Sequence, residues 1–157
     1  MTQAFMGTSS PTVEIERLID SPRSRVFEAF TQQQHLEKWY GPDGFSIQTS
    51  KWDFRTGGIW EFNMHSDERG DFPTRVVWDE IIEDELLHFH HETVDESDPA
   101  DFVTSVTFRD QDGKTALHFR MLFSSEKSRD ETVERAGALD GLTQTMTKLE
   151  MFLKGEL

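Results

Sequence analysis

Alternation of apolar and polar side chains dominates the middle of this chain and restricts the folds it can adopt. From residue 45 to residue 124 the pattern has a period of two, interrupted by short turn segments such as "RTGG" at 55–58 and "QDGK" at 111–114. A period of two is typical of half-buried β-strands. We therefore predict six consecutive strands, mainly antiparallel, because short turns join most of them.

Other patterns flank this strand region. Before it, "TVEIERLID" at 12–20 alternates as a strand, and Ser21 and Pro22 then suit the start of a helix, which a second short helix follows. After it, apolar residues recur at helical spacing from 136 to 154, and "SRDE" at 128–131 fits a capping box. The predicted order is one strand, two helices, six strands and one long helix.

Two glycines lie one turn apart in the predicted C-terminal helix, at Gly137 and Gly141. Glycine inside a helix costs about 1 kcal/mol relative to alanine. We expect these positions to mark a kink or the close approach of a neighbouring segment, with tight packing on the sheet as the simplest reason.

The segment "KWYGPDGF" at 38–45 could hold a substrate, cradle a phosphate or turn a corner. Gly41 can end a helix, Pro42 cannot continue it, and Asp43-Gly44 is a turn pair. The segment lies at a helix C-terminus, where the dipole disfavours anions. The pattern therefore favours a helix stop and a turn.

Length and charge limit the classes of function. The chain has 157 residues, a length typical of one domain, with residues 1–11 expected to form a flexible tail. Its formal net charge of −14 repels nucleic acid and anionic membrane surfaces, so neither is a predicted partner. No signal peptide or membrane-spanning run is evident, and a cytoplasmic location is expected by default. The sequence leaves a homodimer open.

Several motifs together resemble a known superfamily. They are "RLIDSPRSRVFEAF" at 17–30, "HLEKWYGPDGF" at 35–45, "DFRTGGIW" at 53–60, "WDEI" at 78–81 and "GLTQTMTKLEMFL" at 141–153. In combination they are similar to the START-like (SRPBCC) superfamily. Within it they resemble the branch homologous to the C-terminal domain of the activator of the heat-shock chaperone ATPase.

The resemblance implies an α+β helix-grip fold, in which a curved antiparallel sheet wraps around a long C-terminal helix and leaves a cavity between them. It also implies three candidate functions. The first is binding of a small apolar or aromatic ligand in that cavity. The second is interaction with a chaperone, and the third is a cyclase-like or hydrolase-like reaction. Fold alone does not choose among them.

Strand parity and the helical stripe select candidates for the cavity wall. Side chains two residues apart on a strand share a face, and one face of the C-terminal helix should close the space. Trp78 and Glu80 share a face of a strand that parity alone does not orient. The candidate ligand-binding residues are Trp60, Phe62, Met64, Trp78, Glu80, Phe89, His91, Phe108, Phe119, Met121, Leu142 and Met146.

Polar residues raise further questions about chemistry. Arg17 shares parity with apolar neighbours, so it is expected to point inward and to pair with Glu80 or Asp53, most simply as a structural ion pair. His88 and His90 share a face that points to water, and spacing fixes no third ligand, so no metal site and no cofactor are predicted.

Catalytic groups are not identified by any motif. The chain has no cysteine, no G-x-S-x-G and no phosphate-binding glycine loop. General acid–base chemistry by His91 and Glu80 stays open, provided that both line the cavity within reach of one substrate.

Overall fold

A computed structural model describes residues 2–92, 94 and 102–157. The acidic segment at 93–101, expected to be a loop, lies outside the described residues except for Val94. The described strands are β1 (Phe5–Met6), β2 (Thr12–Ile19), β3 (Phe45–Trp52), β4 (Ile59–Ser66), β5 (Gly70–Ile82), β6 (Leu86–Glu92), β7 (Phe102–Gln111) and β8 (Lys114–Phe123). The described helices are α1 (Arg23–Thr31), α2 (Gln33–Trp39), α3 (Glu126–Ala136) and α4 (Ala138–Leu153).

These strands form one antiparallel sheet in the order β1-β2-β8-β7-β6-β5-β4-β3. Sequential strands from β3 to β8 are therefore neighbours, as the short predicted turns require. The β7–β8 hairpin shows why the turns form: Gln111 pairs with Lys114, and the two residues between them, Asp112 and Gly113, have φ of 53° and 83°. Aspartate and glycine tolerate the positive φ that a two-residue hairpin turn demands.

Helices cover one face of the curved sheet and bury its apolar side chains. Trp39, Met146 and Leu149 are each 0% exposed in the same core as the inward-facing strand residues. The indole of Trp39 donates from Nε1 to the carbonyl oxygen of Ala29 at 3.0 Å, which satisfies its polar atom inside that core and joins α2 to α1. The predicted α+β helix-grip fold is confirmed.

The two ends of the chain differ from the sequence-based predictions. Residues 5–6 form a strand instead of part of a flexible tail: Phe5 pairs with Glu14 of β2, and the amide of Ala4 donates to Thr143 Oγ1 of α4 at 2.9 Å. The predicted long C-terminal helix is two helices. Gly137, with φ of 64° and ψ of 40°, ends α3 in the left-handed region and α4 begins at the next residue.

Helices α1 and α3 do not begin at the residues that the sequence predicted. Helix α1 begins at Arg23 with Pro22 at the N-cap and no side-chain cap, so Ser21 does not cap it. Helix α3 begins earlier than the capping-box pattern indicated, and Ser125 Oγ accepts from the amide of Ser128 at 3.0 Å. Serine is common near helix starts, so the type of residue alone did not locate the N-cap. None of the described helices is long and apolar enough to cross a membrane.

Candidate functional site

A cavity of about 590 Å³ lies between the sheet and the junction of α3 and α4. Six of the sequence-predicted residues line it, from strands β4, β6 and β8 and from helix α4: Phe62, Met64, His91, Phe119, Met121 and Leu142. Pockets of roughly 300–1,000 Å³ with mostly apolar walls are the usual size for small-molecule sites. The cavity is therefore large enough for an organic ligand.

Five other predicted residues belong to the packed core instead of the cavity wall. Trp60, Trp78, Phe89, Phe108 and Met146 are between 0% and 3% exposed, and none of them lines the cavity. Their neighbours fill the space around them, as in the stack of Trp60 on Phe62 with ring centroids 3.9 Å apart. Strand parity placed Trp60, Phe89 and Phe108 on the inward face, but it did not distinguish a filled part of that face from a hollow part.

The prediction that Glu80 lines the cavity was wrong, because a β-bulge turns the Glu80 side chain to the other face of the sheet. Trp78 pairs with Phe89, whereas Glu80 pairs with His88, so Asp79 is the extra residue. An inserted residue shifts the alternation by one position. Glu80 is consequently exposed, and the proposed acid–base pair of His91 with Glu80 is not formed in the cavity.

His91 is the histidine that contributes to the cavity wall. It lies near the end of β6 with its ring 4.7 Å from Phe102 and 6.3 Å from Phe89, measured between centroids. Its Nδ1 atom is buried and has no hydrogen-bond partner among the residues that the structure describes. Burial, with a smaller contribution from the charge of His90, lowers the pKa of His91 to about 4, so the imidazole is neutral near pH 7.

The α2–β3 turn also lines the cavity, a role that sequence reasoning did not assign to it. The turn was predicted correctly as a turn, yet Tyr40, Gly41, Pro42 and Phe45 all contribute to the wall. Burial raises the pKa of Tyr40 to about 12, so its hydroxyl stays protonated. The available signal was the density of aromatic residues around the Gly-Pro pair.

Helix α4 fixes that turn in place. The amide of Asp43 donates to Gln144 Oε1 at 3.0 Å, and Lys148 Nζ donates to the Pro42 carbonyl oxygen at 3.3 Å. A Cβ atom added to Gly141 would lie 3.7 Å from the Pro42 Cβ. The predicted close approach at Gly141 is thus to this turn and not to the sheet, while the predicted kink is at Gly137.

Charged residues also line the cavity, and these too were missed from the sequence. Arg69 lies over the ring of Phe45 with its guanidinium carbon 5.8 Å from the centroid. Asp71 Oδ1 accepts a hydrogen bond from His65 Nδ1 at 2.8 Å, and this contact raises the pKa of His65. Arg135, at the end of α3, is the other cation that lines the cavity among the described residues.

Arg17 points inward as predicted but has a different partner. Its Nη1 atom lies 3.1 Å from Glu150 Oε2 of α4, and neither Glu80 nor Asp53 is involved in that contact. Asp53 pairs instead with Arg55, two residues along the chain. Arg17 is not among the residues that line the cavity.

Two other histidines pair with carboxylates on the outer face of the sheet. His90 Nδ1 is 2.7 Å from Asp79 Oδ2, and His118 Nε2 is 2.7 Å from Glu14 Oε1. Across residues 2–92, 94 and 102–157, no group of three or more histidine, aspartate or glutamate side chains is arranged to hold a metal ion.

The curved sheet, the helix across it and the cavity between them together define a START-like helix-grip protein. Residues 20–154 match the family model described as activator of Hsp90 ATPase homolog 1-like protein. This chain belongs to that family. A search of curated proteins found no match.

Solved structures share the fold across nearly the whole chain. A crystal structure of a Nitrosomonas europaea protein is 24% identical with a TM-score of 0.81, covering 92% of this chain and 95% of that one. A Mycobacterium smegmatis crystal structure is 18% identical with a TM-score of 0.86 and covers 99% of both chains. An Arthrobacter aurescens solution structure is 18% identical with a TM-score of 0.86, covering 97% of this chain and 91% of that one. Similarity at these identities concerns the fold alone.

Proposed function

We propose that this protein binds a small apolar or aromatic molecule in the cavity between the sheet and the α3–α4 junction. The observation that carries the proposal is the cavity itself: about 590 Å³, with six tyrosine and phenylalanine rings, two methionines and a leucine in its wall. Exposed apolar surface of this kind is unfavourable in water, so an occupant that covers it is stabilised by the hydrophobic effect. Thioether and ring surfaces adapt to apolar guests of different shapes.

Connecting segments in the cavity wall support reversible binding. The α2–β3 turn and the α3–α4 junction both contribute to the wall, and Gly137, which ends α3, lines the cavity. These are connecting segments, which rearrange more easily than the strands that form the floor. A ligand can therefore enter without disruption of the sheet.

The test is saturable binding of 1-N-phenylnaphthylamine, a neutral apolar probe whose fluorescence rises in apolar sites. A ligand at about 100 times its Kd stabilises the folded protein by about 2.7 kcal/mol, so the melting temperature should rise with probe concentration and then level off. Absence of both signals over a broad panel of neutral apolar probes would overturn the proposal.

Two matched variants place the binding site. Ala138→Trp puts an indole at a position that lines the cavity in the first turn of α4, and it should weaken probe binding. Leu18→Trp adds the same side chain at a position that is 50% exposed and outside the cavity, and it should leave binding unchanged. Equal effects of the two substitutions would place the probe elsewhere.

A second candidate function is interaction with a heat-shock chaperone. It rests on the family match, whose description refers to activation of the Hsp90 ATPase. The test is the ATPase rate of a purified Hsp90-type chaperone with and without this protein. A concentration-dependent increase would support the second candidate, and an unchanged rate would remove it.

A further inference from the structure

We infer that the cavity selects a neutral aromatic molecule carrying a hydroxyl or N–H group that hydrogen-bonds to the imidazole of His91. The inference rests on the proposed function and specifies the chemical class of its ligand. It follows from three features of the described residues: an unpaired ring nitrogen in the wall, the charge of that ring, and the shape of the side chains around it.

The first feature is the missing partner of His91. Within the described part of the chain its buried Nδ1 atom has no hydrogen-bond partner, although the residue lies in the wall of an open cavity. Buried polar atoms in proteins are nearly always paired, and the exceptions often lie at sites where a ligand completes the pairing. Phe89 and Phe102, the rings beside it, offer no polar atom. A ligand with a hydrogen-bond donor would supply the missing partner after the imidazole rotates about the bond that joins it to Cβ.

The second feature is the neutral state of the ring. Because burial lowers the pKa of His91 to about 4, the imidazole near pH 7 has one N–H donor and one acceptor nitrogen. A hydroxyl group can match either nitrogen, whereas a carboxylate can match only the N–H and gains no ion pair from the neutral ring. Arg69 and Arg135 line the cavity, but so do the carboxylates Asp71 and Glu92, so the wall adds no net positive charge to the −14 of the whole chain, which disfavours an anionic ligand.

The third feature is the set of flat surfaces around this polar atom. The aromatic residues in the wall come from five different segments: Tyr40, Phe45, Phe62, Phe72, Phe102 and Phe119. Aromatic groups interact with one another through stacked and edge-to-face geometries beyond the effect of area alone. Met64 and Met121 add thioethers, which also contact rings favourably. Such walls favour a ring system over an alkyl chain.

Tyr40 supplies a second polar group from another part of the wall. Its ring packs against Trp60 and Phe62 with centroid distances of 5.4 Å and 6.3 Å, which fixes its orientation. The hydroxyl keeps its proton because burial raises the pKa to about 12. A ligand with a second oxygen would therefore meet a donor at Tyr40.

The experiment compares three probes of similar size: naphthalene, 2-methoxynaphthalene and 2-naphthol. Only 2-naphthol can donate a hydrogen bond. Each is measured by displacement of 1-N-phenylnaphthylamine from the wild-type protein and from His91→Phe. We expect wild type to bind 2-naphthol about threefold to tenfold more tightly than 2-methoxynaphthalene, as one net hydrogen bond implies. In His91→Phe that preference should disappear, and naphthalene should bind at least as well as before.

His90→Phe is the matched control, because the ring of His90 lies on the outer face beside Asp79. It should keep the preference for 2-naphthol. A measurement on the wild-type protein makes the test independent of variant folding: 2-naphthol, but not 2-methoxynaphthalene, should shift the ring ¹⁵N resonances of His91.

The outcomes separate this inference from the proposed function. Equal affinities for the three probes, or a preference that survives in His91→Phe, would overturn the inference and leave the proposed function standing. No binding of any of the three, nor of 1-N-phenylnaphthylamine, would overturn the proposed function and the inference with it.

Discussion

Arg17 of β2 and Glu150 of α4 form an ion pair that attaches the C-terminal helix to the sheet, with 3.1 Å between Nη1 and Oε2. The Arg17 side chain is only 3% exposed, and its guanidinium also donates to Thr147 Oγ1 at 3.1 Å and to the Thr2 carbonyl oxygen at 2.9 Å. One buried cation thus connects the N-terminal segment, β2 and α4. The helix that closes the cavity is anchored at this point.

Removal of the Glu150 carboxylate should destabilise the protein. Glu150→Ala removes the carboxylate that pairs with the buried Arg17 cation, and we expect a loss of about 2 kcal/mol in the free energy of unfolding. Urea denaturation measures it. Arg55→Ala is the control, because the Arg55 side chain is 70% exposed and exposed pairs contribute about 0–1 kcal/mol. Equal losses in the two variants would contradict the anchoring role of Arg17.

The two helix glycines should respond to alanine in opposite directions. At Gly141 a new Cβ would lie 3.7 Å from Pro42, an ordinary contact distance, so Gly141→Ala should stabilise α4 by about 0.5–1 kcal/mol. At Gly137 the φ of 64° disfavours any side chain, so Gly137→Ala should destabilise by about 1 kcal/mol. Thermal melts of both variants check the signs, and a shared sign would contradict this assignment of roles.

Acidification should weaken the fold through His91. The unfolded chain binds a proton at this residue near its ordinary pKa of 6.5, whereas the folded protein does so only near 4. The stabilisation is therefore complete above pH 6.5 and is lost as the pH falls toward 4, by up to about 3 kcal/mol. Unfolding free energies at pH 7, 6, 5 and 4.5 should fall more steeply for wild type than for His91→Phe. Parallel curves would contradict the prediction.

The pKa of His65 should lie above the ordinary histidine value, and the pKa of His91 should lie below it. Hydrogen bonds from His65 to Asp71 and then to Asp67 raise the pKa of His65, while burial lowers that of His91. Two-dimensional NMR of the imidazole groups over pH 4 to 8 measures both. Asp71→Asn should bring the pKa of His65 back toward 6.5 without effect on His91. A His65 pKa below that of His91 would contradict the environments assigned to both histidines.

Local periodicity was enough to predict seven of the eight described strands and most of the helices. The alternation in β4, "IWEFNMH", and the apolar stripe of α4 depend only on neighbours in sequence, and both elements formed where they were expected. The β-bulge at Asp79 shows the limit of that logic. The sequence does not mark the extra residue, because its position depends on how β5 pairs with β6, and it moved Glu80 out of the predicted site.

The sequence by itself determined the class of protein: alternation specified the antiparallel sheet, the apolar stripe specified the helix that covers it, and the combination of motifs indicated the family. Only the tertiary structure decided where the core is filled and where it is hollow. Trp60 and Phe62 have the same residue class and share a face, yet only Phe62 lines the cavity. That difference arises from the packing of α3, α4 and the α2–β3 turn across the sheet, and such packing joins residues far apart in the chain, which no local pattern encodes.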